Sequence, residues 1–134
     1  MNRFKQCVVI CCLAAITTLP AVAAEPGLLK NSDRGVTVEV TPRNVMQNAP
    51  TWEFKVVLDS HTQDLNDDLT TSATLHDARG GQTAPVSWEG AGPGGHHREG
   101  VLKFKPIFPH PQSIELRILR AGEATPRLFR WELK

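Results

Sequence analysis

The sequence predicts an all-β fold, an immunoglobulin-like antiparallel β-sandwich of about seven strands. Three observations carry that expectation. Apolar residues recur with a period of two in five separate runs, as in strands with one buried and one wet face. Gly- and Pro-rich turn chemistry separates the runs. From Glu25 onward no stretch has an apolar stripe of helical spacing and useful length.

The elements follow in chain order. Glu25–Gly35 has no periodicity and reads as a flexible lead-in. Val36, Val38 and Val40 alternate with Thr37, Glu39 and Thr41. Pro42 and Pro50 bracket the next loop, after which Trp52, Phe54, Val56 and Leu58 alternate with Glu53, Lys55, Val57 and Asp59. Shorter strands fit Ser72–His76 and Pro85–Glu89, divided by Arg79-Gly80-Gly81. Beyond the glycine-rich stretch Gly90–Gly95, Leu102 and Phe104 form an inward pair. Pro106, Pro109 and Pro111 punctuate the way to Ile114, Leu116 and Ile118, and a loop at Ala121–Pro126 leads to Phe129, Trp131 and Leu133. Trp52, Trp88 and Trp131 read as anchors of the core or its rim, since buried aromatics mostly serve packing.

The first 24 residues read differently. Arg3 and Lys5 precede an apolar run, Cys7–Leu19, which Pro20 breaks before the small residues Ala21-Val22-Ala23-Ala24. That is the order of a secretory signal peptide. The run is too short to span a bilayer about 30 Å thick. The expected organisation is a signal at 1–24, the lead-in at 25–35 and a β-sandwich domain at 36–134, exported to a periplasm or to the outside. All 3 Cys, at positions 7, 11 and 12, fall in the signal. A Cys-free mature chain excludes a disulfide scaffold, thiol redox chemistry, a Cys zinc site and a Cys nucleophile.

Charge narrows function further. The whole chain has 15 Lys+Arg against 14 Asp+Glu. Without Arg3 and Lys5 the balance is 13 against 14, a net charge near −1. Such a chain lacks the basic footprint of a nucleic-acid binder and the polybasic patch of a membrane-surface protein. The acid is concentrated: no basic residue lies between Lys55 and Arg79, whereas Asp59, Asp64, Asp67, Asp68 and Asp77 do, with His61 and His76. This segment is either a solvated acidic loop or a lure for a cation.

Two fragments carry the chemistry. Asp59 and His61 are two apart and share a face of an extended chain. Gly94-Gly95-His96-His97-Arg98-Glu99-Gly100 precedes a later strand. In the expected fold the Thr51–Asp59 and Val101–Lys105 strands are antiparallel neighbours, which brings Asp59 and His61 beside His96 and His97. Parity places His97 rather than His96 on the outward side with Asp59, unless a glycine bulge at Gly100 reverses it. Carboxylate and imidazole both ligate divalent metals. The expected site is therefore a metal cluster of Asp59, His61 and His97, with His96 or Glu99 as a fourth ligand and Asp64, Asp67 and Asp68 behind it. Copper(II) or zinc(II) would be the ion, because thiolates are lacking and Met46 is the single methionine after the signal. The competing reading is a surface turn in which the His cluster holds two loops together. His76 and His110 form a poorer second pair.

Other sites fail on spacing. Asp64, Asn66 and Asp68 open like a calcium loop, but Leu69 and Leu75 stand where Gly and Glu are required. Gly90–Gly95 lacks the Lys-Ser/Thr and the helix of a phosphate loop. Ser60 and His61 are adjacent in a strand, pointing to opposite faces, which is poor geometry for a nucleophile and its base. No enzyme is expected.

The two fragments resemble a group of small exported bacterial and archaeal β-sandwich domains with a D-x-H segment followed by G-G-H-H-R-x-G-x-L-x-F. The corresponding residues here are Leu58 through Leu65, which depart from a D-T-H-S-x-x-L pattern at Ser60 and Thr62, and Gly94 through Phe104. The resemblance would span Val36 to Leu133 and implies a domain of that kind without implying a reaction. A fainter similarity is to periplasmic copper-carrier sandwiches, which share a D-x-H pair but add an amino-terminal His where this mature chain would begin with Glu25. The expected function is an exported, non-catalytic binding module for a divalent metal. The alternative is a structural or protein-interaction domain of the cell envelope. Expected partners are a metal ion or an envelope protein, with no nucleic acid and no membrane insertion after signal cleavage.

Overall fold

The computed structural model describes residues 26–133, so the expected signal at 1–24 lies outside the described residues. The strands are β1 (Leu29–Asp33), β2 (Val36–Asn44), β3 (Trp52–Ser60), β4 (Ala73–Asp77), β5 (Gln82–Thr83), β6 (Ser87–Gly90), β7 (His97–Phe104), β8 (Ser113–Ile118) and β9 (Arg127–Glu132). They form two antiparallel sheets, one of five strands ordered β1-β2-β3-β7-β6 and one of four ordered β5-β4-β8-β9. A single helical turn, α1 (Leu69–Ser72), interrupts them, capped by Asp68, whose carboxylate accepts from the Thr70 amide at 3.0 Å. Among the described residues no helix is long and apolar enough to cross a membrane.

The period-two pattern decides which side chains are inside. Val36, Val38 and Val40 of β2, then Trp52, Phe54, Val56 and Leu58 of β3, are all buried, as are Leu102 and Phe104 of β7. Ile114, Leu116 and Ile118 of β8, with Phe129 and Trp131 of β9, meet them from the other sheet in one core. Phe54 touches Phe104 edge-on and Trp131 at a tilt, so the aromatic centre joins both sheets. Trp52 and Trp131 are buried, and Trp88 packs against the core from the edge strand β6.

Two expectations need correction. The lead-in at 25–35 contains β1, which pairs with β2 over five residues from Leu29↔Val40 to Asp33↔Val36. Arg34 and Gly35 both take positive φ, 49° and 76°, and form the two-residue turn whose twist suits a hairpin. Polar residues hide this strand, because an edge strand needs backbone pairing more than an apolar face. The strand expected at Val101–Lys105 begins earlier, at His97, and pairs with β3 without a break from Trp52↔Phe104 to Asp59↔His97. Gly100 is therefore no bulge. A Cβ there would lie 2.6 Å from Trp88 Cζ2, so the position is glycine because an indole lies across it.

Candidate functional site

The unbroken β3–β7 register sets the site. Odd-numbered residues of β7 face outward and even-numbered ones inward, so His97 and Glu99 are exposed while Arg98 is buried. Asp59 is opposite His97, and Thr37 of β2 lies beside Asp59 in the same cross-strand row. The Asp59 carboxylate and His97 Nδ1 are 2.5 Å apart in a hydrogen bond, with both side chains about half exposed (50% and 59%). On the opposite edge of the imidazole, Nε2 faces a Glu99 oxygen at 3.8 Å. Glu99 is in turn paired with Lys55 at 2.7 Å.

The turn after β3 fixes His61. Ser60 points inward; its hydroxyl donates to the Gly35 carbonyl at 2.9 Å and accepts from the amides of Thr62 and Gln63. This serine is consumed by the turn, and His61 is left exposed at its outer corner. The loop before β7 is stitched to the chain after β3 by backbone bonds. Ser60 donates to His96 O, Leu65 to Gly95 O and Gly94 to Leu65 O, each at 2.9 Å. His61 has no side-chain hydrogen bond among the described residues, and His96 has only a 4.0 Å approach to Asp64.

All four expected ligands, Asp59, His61, His96 and His97, line one open depression of about 430 Å³, together with Lys30, Thr37, Glu39 and Ser60. The structure gathers them, but not as a finished cage: among the described residues no three His, Cys, Asp or Glu side chains converge as a metal-holding group. The expected second rank of carboxylates also dissolves. Asp64 alone stays near a site histidine. Asp67 is buried and receives Arg120 through Nε and Nη2 at 3.1 and 3.0 Å. Asp68 caps α1, and Asp77 accepts from the amides of Arg79 and Gly81. The acidic run thus consists mostly of carboxylates already occupied by loop amides and a guanidinium. The second histidine pair does not form a site either. His76 bonds Thr74 at 2.9 Å, and His110 meets Trp52 edge-on at 5.6 Å.

Three arginines, Arg98, Arg120 and Arg127, are unexpectedly buried. Arg98 donates to the carbonyls of Leu65, Asp67 and Ala91 and sits 5.7 Å from the Trp88 ring centroid. Arg120 binds Asp67, and Arg127 binds Glu123 and the carbonyls of Val36 and Asp33. The signal for Arg98 was parity, since it shares the inward side with Leu102 and Phe104. Arg120 and Arg127 offered no such signal beyond closeness to strand ends.

The hydrogen bond that His97 donates to Asp59, then the charge of that carboxylate, raises the His97 pKa above the ordinary histidine value, with Glu99 adding to it. A raised value means that the protonated pair favours the folded state. That contribution is complete below the free-histidine pKa and fades as pH rises through the elevated one. In the metal-free protein, NMR titration of ring protons should give His97 a midpoint above an ordinary exposed histidine. Asp59→Asn should bring the midpoint down; an unchanged midpoint would disprove the coupling.

No protein-family model, curated protein or solved structure matches the chain.

Proposed function

We propose that the protein is an exported, non-catalytic binding module with an immunoglobulin-like sandwich fold, which takes a divalent cation, copper(II) or zinc(II), at the histidine-bearing pole of its larger sheet. The fold reading is supported by strand order. With β1 and β5 set aside as edge additions, β2-β3-β7-β6 faces β4-β8-β9, the ABED and CFG arrangement of immunoglobulin constant-type domains. Export rests on the charged, apolar and small-residue succession at 1–24.

The observation that carries the ligand reading is the shared depression lined by Asp59, His61, His96 and His97. The loop-stabilising alternative assigns these histidines a task that other groups perform. Backbone bonds and Arg98 join the two loops, and His61 and His96 make no side-chain hydrogen bond among the described residues. Exposed imidazoles change rotamer at little cost, so the missing convergence is not a barrier to binding.

Isothermal titration of the purified protein with zinc(II) and copper(II) tests the proposal. Saturable binding tighter than about 1 mM is expected, with loss in the His61→Ala/His97→Ala double variant. Absence of such binding, or equal binding by the variant, refutes it. A co-purifying envelope protein without metal binding would instead favour an interaction domain.

A further inference from the structure

We propose that the ion at this pole is held by His97 Nε2 and the Glu99 carboxylate, with Asp59 orienting the ring rather than binding the metal, and Lys55 competing for Glu99. The inference rests on the metal-binding reading above and changes its ligand set. Zinc–nitrogen and zinc–oxygen bonds are about 2.0–2.2 Å. Two such bonds at angles near tetrahedral or somewhat wider put the ligand atoms roughly 3.4–3.7 Å apart. The 3.8 Å between His97 Nε2 and Glu99 Oε2 is within a tenth or so of that span, with the side chains where they stand. The 2.5 Å between Asp59 and His97 Nδ1 leaves no space for an ion.

Position along the strand supports the same pair. His97 and Glu99 are two residues apart on β7, hence on one face and adjacent. Asp59 reaches the ring from β3 at the other nitrogen. A carboxylate bonded to the far nitrogen is the usual means by which a metal-binding imidazole is held in one tautomer. Glu99 divides its oxygens, Oε1 toward Lys55 at 2.7 Å and Oε2 toward His97. The Lys55 ammonium therefore opposes a cation both by charge and by occupying one carboxylate oxygen. The remaining coordination positions of such an ion are open to water, making this a site with exchangeable ligands rather than a closed structural one.

Zinc(II) is the probe, because it is diamagnetic and long-range proton–nitrogen NMR distinguishes the two ring nitrogens. The purified protein should show zinc at His97 Nε2 while Nδ1 keeps its proton. Glu99→Gln should weaken zinc binding tenfold or more, by about the factor typical of a lost supporting contact or above it. Lys55→Met should tighten binding several-fold. These side chains are on an exposed sheet face, so each variant is checked for unchanged thermal unfolding. Zinc at Nδ1, or Glu99→Gln binding within twofold of the parent, overturns this ligand set while leaving a metal-binding module intact. Failure of the parent to bind zinc or copper overturns both.

Discussion

Replacing Asp67 by Ala should lower the free energy of unfolding by about 3–5 kcal/mol, the usual effect of stranding one member of a buried ion pair. The partner would be Arg120. Asp67 and Arg120 are 3% and 6% exposed at the side chain and meet at 3.0 Å. Asp67 also accepts from the part-buried Ala121 amide, so its loss frees a second donor. Glu123, 3.6 Å from Arg120, is already engaged by Arg127 at 2.6 Å and offers incomplete compensation. The cost should fall when the stranded charge is removed as well. The Asp67→Ala/Arg120→Met double variant should therefore be more stable than Asp67→Ala alone, and a double-mutant cycle in urea should return a large coupling energy. Additive effects would show that the pair is not a unit.

Arg98→Met is the second large effect, at about 2–4 kcal/mol, since hydrogen bonds to a charged group are each worth roughly 1.5–3 kcal/mol and burial of the head is partly relieved. The substitution keeps an apolar stem among its neighbours. Leu65 O retains the Gly94 amide and Ala91 O retains the Trp88 indole N–H. Asp67 O, which Arg98 approaches at 2.6 Å, keeps no other donor among the described residues. Arg98→Lys should recover little, because an ammonium cannot reproduce the planar fork that reaches Leu65, Asp67 and Ala91 together. Thermal unfolding checks both variants. A midpoint within about 2 °C of the parent, when 1 kcal/mol moves a domain of this size by several degrees, would sink the claim.

Much of this architecture was legible because burial imposes a period on strands. The alternation at Trp52–Leu58 predicted both the inner face of β3 and the outward position of Asp59. The same parity, carried back from Phe104, put His97 outward. β1 was illegible for the converse reason: Lys30, Asn31, Ser32 and Asp33 follow a single half-buried Leu29, and the strand exists through backbone pairing with β2. The fate of the aspartates was also hidden. Asp64, Asp67 and Asp68 look equivalent in sequence, yet one is exposed, one neutralises a buried guanidinium and one caps a helical turn. Asp68 finds its partner two residues on, at Thr70, but a separation of 53 residues between Asp67 and Arg120 leaves no local trace.

The motif at the start of β7 also reads differently in three dimensions. Arg98, Gly100, Leu102 and Phe104 point inward, whereas His97 and Glu99 point outward. One short string thus carries two alternating sets of positions, one turned into the core and one exposed on the sheet face.

β1 has a consequence for the edge of the larger sheet. The strand is strapped at both ends to the smaller sheet: the Trp131 indole donates to Gly27 O at 2.8 Å, and Arg127 donates to Asp33 O at 2.9 Å. It closes the seam between β2 and β9. A protease that removed residues only as far as 24 would leave both straps in place. Removal of residues through Asp33 would lay bare the backbone edge of β2 along Val36–Val40, the five residues that β1 pairs, and offer that edge as a template for strand pairing with another copy of the chain.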